Sequence, residues 1–384
     1  MKSDKLDDKY FEEIKKANKL FVEISNRYHF EIPKPINLEE EKKTFLNNFN
    51  KGKVYNPQIE FDLKKFYLTD FYKMRFKLSY LLHVEEDEKD YYGIKTLYKN
   101  KLYELYNKIN YHDFWGEKES TEFIKNCYGK PGFFLVFRAK WFCRFFNQDN
   151  KSLKQISEKE IGKSIKSEVL KTYKDKVKVS YKNSDFEVKF CESKKEFLVN
   201  NSENVKFYEE DILRLKLSEV DVVYRRFFNG IKSKVKLFEV GTKNSLETEV
   251  GLKLYYESVQ GVLSKDKVRY YAGLCIASRY CLSKSFYKVF KILKKFKFTD
   301  QEAFDITFRV KRNLFDTSKK GGFTKDYLFY SGFLKVQKFS KNKKGLRDLF
   351  IGRIGIDDLK VIDKFITDKE IEFESPFDVE IKNK

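Results

Sequence analysis

Apolar residues recur every three or four positions along most of this chain, which is the pattern of helices that bury one face. Short runs that alternate apolar and polar residues interrupt this pattern between residues 177 and 199. The helical pattern predicts helices at about 1–50 with a break at 32–35, 88–108, 120–127, a helix ending at 146, 152–173, 209–228, 247–260, 265–281, 284–296, 300–312, 323–339 and 357–365.

Two local signals mark helix ends. Asn229 and Gly230 follow the helix at 209–228, and glycine readily adopts the left-handed backbone with which helices end. Thr299 and Glu302 have the spacing of a capping box, in which each side chain bonds to the other residue's backbone N–H. We therefore expect helix boundaries near 230 and 299.

The alternating segments predict a small sheet. Residues 177–181 and 186–190 place apolar side chains at every second position, as half-buried strands do. Residues 183–185, Asn-Ser-Asp, are typical of a turn. The pattern predicts a β-hairpin within 176–200 with a third strand near 197–199.

The order of these elements predicts an α+β, helix-rich fold with one small antiparallel sheet between two helical halves. We expect a helical N-terminal extension over residues 1–54 and a single domain over residues 55–384. In that domain, a helical part (55–175) precedes the hairpin (176–200), and a second helical part (205–370) follows it. No internal repeat is visible.

Charge is the most conspicuous feature of the composition. Lys and Arg together number 79 and Asp and Glu 58 in 384 residues, a formal net charge of +21. This charge makes a basic nucleic-acid-binding protein one alternative function, with affinity that falls steeply with salt. However, Lys is spread through every segment and Arg is scarce, so the charge is more typical of a Lys-rich composition than of a nucleic-acid surface.

Other counts narrow the class of protein further. No apolar run reaches the roughly 18 residues of a membrane span, and the N-terminus has no apolar signal region. Short apolar runs such as 132–137 have only the length of core segments, so we expect a cytoplasmic location and no membrane partner. The five Cys form no C-x-x-C pair and are expected to be buried free thiols. The three His all lie at or before His112, so no imidazole is available after that residue.

An ordered series of motifs occupies the second half of the chain. They are LSEVDVVYRRFFNG at 217–230, FEVGT at 238–242, LETEVGL at 246–252, RVKR at 309–312, DTSKKGGFTKD at 316–326 and GRI at 352–354. In this order they resemble the tyrosine/phenylalanine carboxypeptidase family, which includes the microtubule-associated tyrosine carboxypeptidases and bacterial QEGLA-motif proteins. The resemblance implies a zinc-metallopeptidase-like helical core and removal of C-terminal Tyr or Phe.

The sequence departs from this family at its metal site. Members carry His-Glu-x-x-x-His on one helix and a third ligand in a later Glu-Gly-Leu-Ala. By the resemblance, Ser218, Val223 and Val250 occupy the three ligand positions, while Glu219 keeps the position of the general base. Lys253 replaces the Ala. A catalytic zinc needs three protein donors, and valine has no lone pair, so we expect no zinc or other cofactor.

Two expectations follow for this region. The helix is apolar on most faces, with Leu213, Leu217 and three valines, so we expect it to be buried and the former metal site to be filled. The alternative is an oxygen-rich site for Mg or Ca made by Glu219, Asp221 and Glu249. On an ideal helix residues 219 and 221 point about 200° apart, which disfavours it.

Binding of a peptide C-terminus can survive the loss of the metal. A terminal carboxylate is bound well by Arg or Lys. The family-like positions expected to bind it, with Asp326 orienting them, are Arg226, Arg309, Arg312, Lys325 and Tyr330. We therefore interpret the chain as a catalytically degenerate member of this family that binds a protein or peptide C-terminus, including acidic tails. An active carboxypeptidase with a rearranged metal site and Glu219 as base is the alternative.

Overall fold

The structure is a computed structural model that describes residues 33–63, 93–145 and 154–363, apart from positions 185, 204 and 234, together with the single residues 19 and 73. Its helices, numbered along the chain, are α1 Leu38–Asn50, α2 Ile94–Asp113, α3 Ser120–Tyr128, α4 Phe133–Arg144, α5 Glu158–Tyr173, α6 Glu209–Leu215, α7 Arg225–Lys232, α8 Leu237–Val240, α9 Ser245–Val259, α10 Lys265–Cys281, α11 Phe286–Lys294, α12 Asp300–Lys311, α13 Leu328–Phe339 and α14 Lys343–Asp348. A π-helical segment, Lys216–Tyr224, joins α6 to α7.

The predicted helix-rich α+β class is confirmed, and the local signals explain several helix boundaries. Thr299 and Glu302 form the predicted capping box at the start of α12. The predicted start of α5 at 152 is wrong. Ser157 and Glu160 form a second capping box there, so the helix begins at Glu158. Helix α2 runs on to Asp113, beyond the predicted end at 108, and the predicted residues 88–92 lie outside the described ranges.

The strands form two small sheets instead of one antiparallel sheet. Strands β1 (Gln155–Ile156) and β5 (Phe207–Tyr208) pair antiparallel. The other sheet contains β2 (Lys178–Tyr181), β3 (Val188–Cys191) and β4 (Glu196–Val199). Their order across the sheet is β2-β4-β3.

The sequence pattern predicted that β2 and β3 pair directly as a hairpin, and this prediction is wrong. Strand β4 lies between them, parallel to β2 and antiparallel to β3. The tight connection is instead between β3 and β4, where Lys195 adopts a positive φ of 50°. Alternation identifies the buried face of each strand but not its neighbour, so the sequence pattern could not place β4.

Three large apolar clusters hold the elements together. One joins α1 and α4 to α10, α11 and α12, and Phe45 of α1 lies in it against Phe286 and Phe290. A second joins α2 to α8, α9 and the segment 346–362. The third joins α5 and the β2-β4-β3 sheet to the π-helical segment. Val220 and Val223 contact the third cluster and Val222 the second, so the π-helical segment lies between two cores.

Helices α9 and α13 cross at close range. A Cβ atom on Gly251 would lie 2.3 Å from the carbonyl oxygen of Gly332. The two backbones can approach this closely because neither residue has a side chain. This crossing fixes the orientation of α9, which carries much of the charge described below.

The expectation of buried free thiols is met in part. Four of the thiols, Cys127, Cys143, Cys275 and Cys281, are free and buried, while Cys191 is partly exposed. None of the helices in the described ranges has the length and apolarity to cross a membrane. The apolar run at 132–137 is core only in part, because Val136 is buried whereas Phe133, Phe134 and Phe137 are exposed.

Candidate functional site

The positions singled out by the sequence lie on the π-helical segment and on α9, which pack against each other. Ser218, Glu219 and Val223 are on the π-helical segment and Val250 is on α9, and all four are buried. Leu217 and the three valines are buried as expected, but Leu213 is exposed. A π-helical turn inserts an extra residue into a helix and occurs often at functional sites, and the apolar pattern did not predict it.

Glu219 is paired with a cation from α9. The ammonium of Lys253 donates to its Oε1 atom, and Glu219 is only 4% exposed. Burial lowers the pKa of Lys253, but the charge and hydrogen bond of Glu219, together with the charges of Glu257 and Glu249, raise the pKa above its usual value. Lys253 therefore stays protonated at neutral pH, and the carboxylate of Glu219 is held in a salt bridge.

Lys253 belongs to a charged stripe along α9. Glu249, Lys253 and Glu257 are spaced four residues apart, so they share one face of the helix. Glu257 accepts from Lys267 of α10 at 2.9 Å. Glu249 accepts from Arg226 at 3.3 Å and from the Nε atom of Arg353 at 3.1 Å. Burial raises the pKa of Glu249, but Arg353 and Arg226 outweigh it and hold the pKa below its usual value.

Arg226, predicted to bind substrate, lies in the core. Its side chain is fully buried, and its Nε donates to the carbonyls of Leu349 and Gly352, each at 3.1 Å. A further donor reaches the carbonyl of Ile354. Burial lowers its pKa to about 10. Arg226 therefore joins the π-helical region to the segment 349–354.

Three other predicted residues come together around Asp326, and we call Arg309, Arg312, Lys325 and Asp326 the basic cluster. The buried carboxylate of Asp326 accepts from Arg309 Nε at 2.8 Å and from Arg312 Nη2 at 3.2 Å. Asp326 thus holds both guanidinium groups by hydrogen bonds.

Lys325 completes the basic cluster and is half-buried. Its ammonium lies 5.6 Å from the ring centroid of Tyr128. Burial lowers its pKa to about 8, and the charges of Lys108 and Arg312 act in the same direction against that of Asp326. Tyr330 does not join this group, because it is buried in the apolar cluster of α10 and α12. Burial raises its pKa to about 12.

The residues do not fit a metal. Ser218, Val223 and Val250 offer a single hydroxyl group, which is not the donor set of zinc. The three carboxylates of the alternative Mg or Ca site do not converge on one point, because each pairs with a different cation. Glu219 binds Lys253, Asp221 binds Arg225 at 3.3 Å, and Glu249 binds two arginines. Within the described part of the chain, no three His, Cys, Asp or Glu side chains are grouped as a metal site requires.

Sequence reasoning missed three participants. Lys253 was noted as a departure from the family without a role, and Arg353 lay in a matched motif without one. The alternating signs of Glu249, Lys253 and Glu257 at four-residue spacing were the available signal for a charged face. Nothing local indicated Tyr128, whose ring meets Lys325 only through the tertiary fold.

Comparison with known proteins agrees with this arrangement of motifs. No curated protein matches the chain in sequence. A family model described as microtubule-associated tyrosine carboxypeptidase matches residues 44–375, which include the π-helical segment, α9 and the basic cluster. The match covers most of the chain, and the chain therefore belongs to the microtubule-associated tyrosine carboxypeptidase family.

Proposed function

We propose that this protein is a member of the family that has lost zinc-dependent hydrolysis and binds peptide C-termini at the basic cluster. The observation that carries the first part is the salt bridge between Lys253 and Glu219. In a metallopeptidase the general base acts on a water whose pKa a metal lowers to about 7. Here a protonated lysine neutralises that carboxylate, and the ligand positions hold Ser218, Val223 and Val250.

The charge balance of the basic cluster supports the second part. Arg309, Arg312 and Lys325 place three cations around the single carboxylate of Asp326. A bound carboxylate would relieve this excess of positive charge and accept charge-assisted hydrogen bonds. Acidic tails would gain additionally from the net charge of +21.

The loss of hydrolysis is tested by metal content and by release of Tyr or Phe from a model peptide. We expect less than about a tenth of an equivalent of zinc and no release. A restored variant, Ser218→His/Val223→His/Val250→Glu/Lys253→Ala, should gain zinc and serves as the positive control. Stoichiometric zinc in the natural protein, with chelator-sensitive release that Glu219→Gln abolishes, would establish the active carboxypeptidase instead.

Peptide binding is tested separately by fluorescence anisotropy of a labelled acidic peptide that ends in Tyr. The free carboxylate should bind at least about tenfold more tightly than the same peptide with a C-terminal amide. Arg309→Ala should weaken binding by a similar factor, whereas Ala at the exposed Arg279 should not. Equal affinity for acid and amide would remove the second part of the proposal and leave the first part standing.

A further inference from the structure

Helix α4 presents an aromatic surface to solvent. We call Phe133, Phe134, Phe137, Trp141 and Phe145, the last being the residue that caps the helix, the aromatic face. Each of these side chains is 59% exposed or more, and Phe134 reaches 81%. At 100° per residue they fall within about 120° of the helix surface. A soluble protein rarely exposes so many large apolar side chains together without a binding role.

The opposite side of α4 explains why the aromatic face points outward. Val136, Ala139 and Cys143 are buried and pack with the core residues of α10. These three residues are small, so the helix lies close to α10 and cannot turn its larger side chains inward. The outward direction of the aromatic residues is therefore set by the packing of the helix.

The charged residues of the segment that carries the aromatic face have one sign. Residues 130–145 contain four cations and no acidic residue, although Asp and Glu number 58 in the whole chain. Lys130, Arg138 and Arg144 are exposed. Lys140 is turned instead toward the ring of Tyr280, 4.8 Å from its centroid. Aromatic side chains flanked by exposed cations are the composition of helices that lie in a membrane interface.

We propose that the aromatic face docks the protein on an anionic lipid surface. The Phe and Trp side chains would enter the boundary between head groups and acyl chains, and the flanking cations would bind anionic head groups. The face is the convex outside of one helix, which suits a bilayer. The expectation of no membrane partner rested on the absence of a long apolar run, which bears on crossing a membrane and not on lying against one.

The test uses the full chain and vesicles of phosphatidylcholine with or without phosphatidylserine. Sedimentation should show binding to the anionic vesicles and little to the neutral ones. Trp141 gives a second readout, because the other tryptophan, Trp115, is buried. The emission of Trp141, obtained by subtracting the spectrum of Trp141→Phe, should shift to the blue when anionic vesicles are added.

A matched pair of double variants distinguishes vesicle binding by the aromatic face from vesicle binding by the net positive charge of the protein. Phe134→Glu/Phe137→Glu should reduce the vesicle partition coefficient by about tenfold or more and abolish the blue shift. Ile36→Glu/Val54→Glu adds the same two negative charges at exposed apolar residues elsewhere and should change binding far less. All four side chains are exposed, so the variants should fold.

Four outcomes would overturn the proposal. They are the absence of binding to anionic vesicles, equal binding to neutral vesicles, an equal loss of binding in the two variants, and a blue emission of Trp141 in the free protein. The third would mean that the net charge alone causes binding. The fourth would mean that the face is already covered, and a dimer lost in Phe134→Glu/Phe137→Glu would identify a second copy as the cover.

Discussion

The ammonium of Lys253 on α9 donates to the carboxylate of Glu219 on the π-helical segment, the residue that the resemblance matches to the family's general base. Glu219 is buried and Lys253 is 25% exposed at its side chain. A buried ion pair is costly to break from one side, because the remaining charge loses its partner without regaining water. The pair therefore joins α9 to the π-helical segment, and both of its partners should contribute to the stability of the fold.

Removing only one partner of this pair should destabilise the protein. We expect Lys253→Met to lower the free energy of unfolding by about 2 to 4 kcal/mol, because it strands the Glu219 carboxylate. The double variant Lys253→Met/Glu219→Leu should recover most of that loss. Urea unfolding of the two single variants and the double variant measures the coupling. Additive effects of the two substitutions would contradict the interaction.

Binding at the basic cluster should depend on pH through Lys325. Its pKa is about 8, and only the protonated form attracts a carboxylate. The affinity for a peptide with a free C-terminus should be constant below about pH 7 and fall as pH rises through 8 and above. Lys325→Arg keeps its charge and should remove the fall. Affinity that stays level in the natural protein from about pH 6 to 9.5 would exclude this role for Lys325.

Arg226 and Arg309 were both predicted to bind substrate, but replacing Arg226 should mainly reduce stability and replacing Arg309 should mainly reduce peptide binding. Arg226→Met should cost about 3 to 5 kcal/mol of stability, since it removes donors to three buried carbonyls and one partner of Glu249. Arg309→Met should cost only about 1 to 2 kcal/mol, because Arg312 still pairs with Asp326. Thermal unfolding and peptide anisotropy together check the split. A stable Arg226→Met protein with weakened binding would reverse the assignment.

Part of the loss of folding stability at acidic pH should come from His112. Burial lowers its pKa to about 4 from an ordinary value of 6.5. Between these values the unfolded chain takes up a proton that the folded protein does not, so stability is full above pH 6.5 and falls as pH drops toward 4. His112→Phe should remove about 2 kcal/mol of the stability difference between pH 7 and pH 5. Guanidinium unfolding at the two pH values measures it, and an unchanged difference would show that His112 is not responsible.

Much of the fold could be predicted because it is encoded locally. The helix periodicity, the capping box of Thr299 and Glu302 and the buried faces of the strands each depend on residues within a few positions of one another. The position of β4 between β2 and β3 could not be predicted, since strand pairing is a contact between distant segments. The start of α5 is also encoded locally, by the capping box of Ser157 and Glu160, so it is predictable from the sequence.

The candidate site likewise has features that the sequence determines and features that only the tertiary structure decides. The sequence by itself determined that no imidazole follows His112, that valine occupies two ligand positions by resemblance, and that Glu219 remains. Only the tertiary structure decided that Lys253 neutralises Glu219, that Arg226 is sealed in the core, and that the aromatic residues of α4 face outward. The reason is that residue type limits what a side chain can do, whereas its partner and its exposure depend on how helices distant in sequence pack together.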